Sequence, residues 1–212
     1  MVNQRQAEGY IKFQCTREVA EPNIDAAWLD ELNRCRSELM HLGMIGIYPS
    51  GVGFGNISFR ITGEDEFMIS GSATGALSLL DGSTIARVTR CDISQNKVWC
   101  RGFIDASSES MSHAAVYRHH ASIGAVVHIH HAQLWERLLD KLPATSKAVP
   151  YGTPAMSGEI ARLLVQYQLQ ERGLLVMGGH EEGLIAFAPT LGEATQLFTD
   201  IYYRQNLMTQ QP

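Results

Sequence analysis

Apolar residues recur at three- and four-residue steps between residues 23 and 42. Ala27, Trp28, Leu32, Cys35, Leu39 and Leu42 make one stripe, which predicts a helix over 23–42, with Asn23 as N-cap and Gly43 and Gly46 ending the pattern. The period then changes. Ile57, Phe59 and Ile61 alternate with polar residues, predicting a strand, and 66–70 predicts a second, paired through a turn at 62–65. Residues 85–93 and 97–100 predict a hairpin over the polar turn 94–96, and the near-continuous apolar run 125–130 a buried strand. Helices are expected over 109–120, with Ser108 as N-cap, and over 135–142. A third is expected over 157–171, with Ile160, Leu163, Leu164 and Tyr167 inward. Two strands, 173–177 and 184–188, flank the turn Gly178–Gly183, and Thr190-Leu-Gly-Glu193 opens a last helix reaching about residue 207. Residues 1–22 are polar apart from a short alternation at Tyr10, Ile11 and Phe13, and read as a partly ordered arm able to supply an edge strand.

A chain of 212 residues fits one domain, covering 1–212 with 1–22 as its arm, or at most two small ones. At 212 residues and 45% hydrophobic content the chain can bury a full core. A formal net charge of −5 supplies no basic field for nucleic acid and no polybasic face for a membrane. No apolar run approaches the ~20 residues of a membrane span, and the first residues are too polar for a signal-peptide core. Cys15, Cys35, Cys91 and Cys100 are scattered, with no C-x-x-C. That suits reduced structural thiols in a cytoplasmic protein.

Six of the eight histidines fall between residues 107 and 131. His128 and His130 alternate on the predicted strand and therefore share a face, whereas His131 falls on the other. An isolated H-x-H in a strand is more often a packed pair than a metal site. His113, His119 and His120 read as a solvated helix face. His180 stands apart, at the tip of a glycine hairpin, with no evident packing role.

Two loops have the composition of anion sites. Gly51, Gly53 and Gly55 precede Asn56, but this loop follows a helix and opens a strand with G-x-G-x-G spacing. A dinucleotide loop needs the reverse order and a different spacing. Residues 70–75, S-G-S-A-T-G, form a second small-residue loop whose amides can face an anion. Ser107 and Ser108 stand at a predicted helix N-terminus, with Glu109 in its first turn.

Five motifs in this order resemble the class II aldolase/adducin family of metal-dependent sugar-phosphate aldolases and epimerases. They are G-N-I-S at 55–58, T-G at 74–75, S-S-E at 107–109, V-V-H-I-H at 126–130 and L-L-V-M-G-G-H-E-E-G-L-I-A at 174–186. The resemblance runs from about residue 32 to 203. It implies a three-layer α/β/α sandwich around a mostly antiparallel sheet. It implies that His128, His130 and His180 hold a divalent cation, most often Zn2+, with Mn2+, Fe2+ or Co2+ as alternatives. It implies a substrate phosphate among Gly55, Asn56, Thr74, Gly75, Ser107 and Ser108, with Glu109 as acid/base. A homotetramer with sites at subunit interfaces is the family's usual assembly.

The expected activity is an aldehyde-lyase acting on a small, phosphorylated hydroxy-carbonyl compound through an enediolate. The alternatives are an epimerase, dehydratase or decarboxylase on the same scaffold, or an adducin-like interaction module without catalysis. The sequence departs from the family's pattern in three places, the first being the loop 70–75, S-G-S-A-T-G, which is a little longer than the usual one. The segment 131–150 is short and offers no clear counterpart of a second catalytic residue, leaving Tyr151, Tyr202 and Tyr203 as candidates. An extra glutamate, Glu181, follows His180.

Overall fold

The computed structural model describes residues 11–61 and 66–209. Tyr10, with the rest of the first ten residues, and the turn expected at 62–65 lie outside the described residues. In chain order the elements are β1 (Gln14–Glu18), α1 (Ala26–His41), β2 (Gly46–Ile47), β3 (Gly53–Phe54), β4 (Asn56–Arg60), β5 (Phe67–Ser70), β6 (Ile85–Asp92) and β7 (Lys97–Arg101). They continue with α2 (Ser110–Tyr117), β8 (Ala125–His130), α3 (Ala132–Leu138), α4 (Pro154–Gln166), β9 (Gly173–Val176), β10 (Gly183–Ala188) and α5 (Leu191–Thr209).

Eight strands form one sheet in the order β1-β7-β6-β5-β4-β8-β10-β9. Only the β1–β7 edge pair is parallel, with Cys15 opposite Val98 and Arg17 opposite Cys100. The arm therefore does supply an edge strand. The other pairings are antiparallel, and β2 with β3 makes a separate small hairpin that the sequence pattern did not announce.

Alternation along the strands divides the core in two. On one face Val126, Ile185 and Phe187 pack with Met111, Ala115, Ile160 and Leu164 of α2 and α4. On the other, Val127, Ile129, Leu184 and Ala186 pack with Leu32, Leu39, Leu134, Ala194 and Phe198 of α1, α3 and α5. Helices thus cover both faces of a mixed sheet, giving the α/β/α layering expected. His128 and His130 have the parity of Val126 and look toward the α2/α4 layer. No helix of the described residues is long and apolar enough to cross a membrane.

Several local expectations are corrected. Asn23 has φ +57, a left-handed conformation incompatible with an N-cap. Asp25 takes that role, its carboxylate accepting from Ala27 N at 2.8 Å. Likewise α2 starts at Ser110 rather than after Ser108, with Glu109 at the cap position, and it stops at Tyr117. Burial covers every residue of α2, so His113 is not on a solvated face. The helix expected at 135–142 begins at Ala132, because the His131 ring caps it by accepting from Leu134 N. Tyr167 caps α4 at its C-terminus and is half exposed rather than inward.

Candidate active site

β8 ends in the middle of the sheet, and its last two inward side chains are imidazoles. His128 Nε2 and His130 Nε2 lie 3.0 Å apart. The β9–β10 connection brings in the third: the His180 ring lies 5.0 Å from His128 and 4.5 Å from His130, centroid to centroid. Among the described residues this is the one group of three or more His, Cys, Asp or Glu side chains placed to hold a metal, its candidate donor atoms all within 4.8 Å of one another.

The hairpin around His180 is shaped by close backbone approach. A Cβ on Gly178 would lie 2.1 Å from Thr145 O, and one on Gly179 would lie 1.7 Å from Val149 O. Gly178 N also donates to Thr145 Oγ1 at 2.9 Å. The segment 145–151 therefore sits down on the hairpin, and His180 is buried beneath it instead of projecting into solvent. Tyr151 closes this lid, its ring stacked on His180 at 4.2 Å. Lys12 of the arm covers the other side, with Nζ 3.4 Å from the Tyr151 ring centre and donating to Tyr151 O at 3.2 Å.

The donor set fits a divalent cation. All three imidazoles are buried. Burial, then the nearby charge of Lys12, pushes His180 down to about 3, so at neutral pH it is unprotonated, as a metal ligand must be. His128 Nδ1 lies 3.1 Å from Leu184 O. A carbonyl only accepts, so that nitrogen carries the proton and the His128 Nε2 lone pair faces the cluster. Three neutral imidazoles leave a cation its full charge and open positions.

Glu109 is buried beside this cluster. Its Oε1 is 4.0 Å from His180 Nδ1, and its Oε2 accepts from Ser112 Oγ at 2.7 Å. The latter contact, one turn into α2, fixes the carboxylate's direction.

The residues expected to hold a phosphate converge. Gly55, Asn56, Thr74, Gly75, Ser107 and Ser108 line one small cavity, together with Gly53, Phe54 and residues 71–73. Gly55 has φ +75, and a Cβ there would lie 2.7 Å from Ile45, so the chain can make this corner only as glycine. Gly75 is pressed against the β2–β3 hairpin, where a Cβ would lie 2.2 Å from Gly46 O. Asn56 Oδ1 is buried without a hydrogen-bond partner among the described residues, an acceptor suited to a donor such as a substrate hydroxyl, while its Nδ2 is the atom able to donate to an anion. The Thr74 hydroxyl, by contrast, donates to Gly71 O at 2.8 Å and shapes the loop from within. Cavity and cluster adjoin: Asn56 is the register partner of His128, and the Phe54 ring stands 5.8 Å from that of His130.

The sequence profile described as the class II aldolase and adducin N-terminal domain matches residues 50–203. The chain belongs to this family. Solved relatives agree at the level of fold. L-fuculose 1-phosphate aldolase superposes with a TM-score of 0.65 at 20% identity, covering 85% of this chain and 84% of its own. YgbL of Klebsiella pneumoniae, described as a candidate aldolase/epimerase/decarboxylase, gives 0.63 at 19%, covering 88% and 91%. A sugar-phosphate aldolase of Thermotoga maritima gives 0.59 at 16%, covering 87% and 97%. A comparison with curated protein sequences finds no match.

Within this class II aldolase scaffold, Arg36, His113, Tyr117 and Lys12 are among the residues at or near the site that escaped the sequence reading. Arg36 is buried in α1 and donates to Thr74 O at 2.8 Å, to Gly75 O at 3.1 Å and to Leu77 O. It ties these carbonyls to α1 and so fixes the course of the loop; burial lowers its pKa to about 10. Its sequence signal was a charge one turn after Leu32, inside the apolar stripe. His113 and Tyr117 both reach Ser58 Oγ at 2.7 Å. Burial drives His113 well below its ordinary pKa and the Tyr117 phenol up. Lys12 left no signal at all. Of the tyrosine candidates, Tyr151 reaches the cluster. Tyr202 instead stands 5.7 Å from His131, the histidine that caps α3, and Tyr203 is exposed.

Proposed function

We propose that this class II aldolase-family chain is a divalent-metal-dependent aldehyde-lyase that makes or breaks a carbon–carbon bond in a small phosphorylated hydroxy-carbonyl compound. The observation that carries this reading is the adjacency of three kinds of group. A buried three-imidazole cluster, a carboxylate buried beside it and a small cavity lined by glycine, asparagine, threonine and serine residues adjoin one another.

His128, His130 and His180 would hold the cation, with zinc the leading candidate and manganese, iron or cobalt compatible with the same donors. When bound, the ion supplies Lewis acidity that offsets the negative charge of an enediolate. The chain's own residues do the remainder. The amides around Gly55 and Gly75, with Asn56, Ser107 and Ser108, hold the phosphate and so fix the reacting carbons beside Glu109. Glu109, aligned by Ser112, carries the proton between substrate carbon and oxygen. Tyr151 and the segment 145–151 exclude water from the His180 side.

A second reading is an epimerase, dehydratase or decarboxylase, which needs the same charge stabilisation. Lys12, whose positive charge acts on His180, favours the decarboxylase among these, because that substrate brings a second negative group, its carboxylate, to the site. A non-catalytic interaction module fits less well, since nothing in such a role requires three buried imidazoles facing one another. We propose further that the chain works as one cytoplasmic domain and as a homotetramer. Leu77 and Leu79, exposed just after the anion loop, offer apolar surface to a second copy.

The test is in two steps: divalent metal content of the purified protein, then incubation with dihydroxyacetone phosphate and a panel of aldehydes. Carbon–carbon bond formation supports the lyase. Bound metal with no such product moves the assignment to the second reading.

A further inference from the structure

His130 is held from behind by two residues that the proposed chemistry does not use. Tyr48 OH lies 2.9 Å from His130 Nδ1 and donates to Glu182 Oε2 at 2.7 Å. A phenol has one proton. With that proton given to the carboxylate, the Tyr48 oxygen can only accept from His130, so His130 Nδ1 bears hydrogen and Nε2 bears a lone pair. His128 is fixed in the same tautomer by Leu184 O. Both Nε2 lone pairs then face each other at 3.0 Å. Two acceptors at that distance repel, and a cation between them removes the repulsion.

The backbone around this relay is organised for it. Tyr48 opens a tight turn over Pro49: Gly51 N donates to Tyr48 O, and Tyr48 N to Val52 O, each at 2.8 Å. Proline at the second turn position and glycine at the fourth suit that geometry. The ring packs against Phe54 at 4.5 Å. Glu182 has φ +69, a left-handed conformation that glycine adopts freely and a glutamate only at a cost. Its main chain is pinned there, with the carbonyl accepting from His131 N at 2.9 Å. A glycine at 182 would relieve the backbone and remove the carboxylate. A strained residue retained beside three candidate ligands points to a task for its side chain.

We infer that Glu182 and Tyr48 are positioning residues that set the tautomer of His130 and raise its basicity toward a divalent cation. This rests on the metal-dependent reading above. Carboxylate partners behind ligating histidines typically strengthen metal affinity 10–100-fold. Here the charge would be passed through a phenol, and the carboxylate comes from the same turn that carries His180.

The experiment is zinc titration against a chromogenic chelator for the wild-type protein and for Tyr48→Phe, Glu182→Gln and Glu182→Gly. It is paired with the Tm of each zinc-free protein and with ¹⁵N spectra of the histidine side chains. Tyr48→Phe and Glu182→Gly should weaken zinc about 10–100-fold. Glu182→Gly should keep or raise the zinc-free Tm, since glycine suits φ +69. Glu182→Gln, whose amide oxygen still accepts from Tyr48 but carries no charge, should keep the His130 tautomer and bind zinc with an affinity between those of wild type and Glu182→Gly. The His130 ring should lose its single-tautomer signature in Tyr48→Phe. Zinc affinity within about two-fold of wild type in both Tyr48→Phe and Glu182→Gly, or an affinity loss matched by an equal loss of zinc-free Tm, overturns the inference. A wild-type protein that binds no zinc overturns the metal-dependent reading itself.

Discussion

The Tyr151 ring lies flat against the His180 imidazole, with centroids 4.2 Å apart and planes 17° from parallel. Neither residue is near the other in sequence. The contact exists because Gly178 and Gly179 let the segment 145–151 settle onto the hairpin. It bears on the cluster because His180 comes from a connection rather than from the sheet. Tyr151→Phe preserves the stack and should leave metal affinity near wild type. Tyr151→Ala opens that side of His180 and should weaken metal about 10-fold, as loss of an orienting neighbour does. Chelator competition on the two variants measures this, and equal affinities in both would remove Tyr151 from the account.

Glu109→Gln tests the proton carrier. The glutamine oxygen can still accept from Ser112 Oγ, now 2.7 Å from the carboxylate, so the side chain should hold its place and the metal content should persist. Turnover should fall roughly 10²–10⁴-fold. Steady-state rates alongside metal analysis decide it, and unchanged turnover would assign the proton transfer elsewhere.

Arg36→Met fills the same apolar stripe but removes the donors to Thr74 O, Gly75 O and Leu77 O. Thr74 O keeps its bond from Leu77 N at 3.0 Å, but Gly75 O and Leu77 O lose their Arg36 donor, which should cost about 2–4 kcal/mol, measured by urea unfolding. Phosphate affinity should fall as well, because the loop that lines the cavity loses the tie that fixes its course. A variant as stable as wild type with full phosphate affinity would show that the loop holds itself.

Acid should destabilise the metal-free protein. His113 is buried with a pKa well below 6.5, chiefly from desolvation. Below pH 6.5 the unfolded chain takes up a proton that the folded chain refuses. Stability is therefore complete above that pH and falls beneath it, by up to about 1.4 kcal/mol per pH unit for this one group. His180, pushed down to about 3, acts in the same direction. His113→Gln should reduce the slope of unfolding free energy against pH without abolishing it. An unchanged slope would mean that His113 is accessible to protons in the fold.

Much of the sheet could be read directly from the chain. β8 was legible to the residue because its apolar run is bounded by a glycine and by the His131 cap. The strands around 85–101 and 173–188 were legible because turn residues separate alternating runs. The helix beginning at Ser110 was misjudged for a physical reason. S-M-S-H-A-A-V-Y is made of small and apolar residues on all sides, so it has no polar face to orient His113, and burial on every side is the consequence. Asn23 looked like a cap by residue type, but its left-handed φ excludes it. The motif residues of the candidate site could be named from resemblance. Lys12 and Arg36 could not, because their contacts lie 139 and about 40 positions away and depend wholly on tertiary packing.

The most direct test is stoichiometric metal analysis of purified wild-type, His128→Ala and His180→Ala proteins, each checked for folding by its far-ultraviolet spectrum. The account predicts about one divalent cation per wild-type chain and loss of it in both folded variants, since two imidazoles cannot replace the three-ligand set. A folded wild-type protein without stoichiometric metal, or a His180→Ala variant that binds as tightly as wild type, would contradict it.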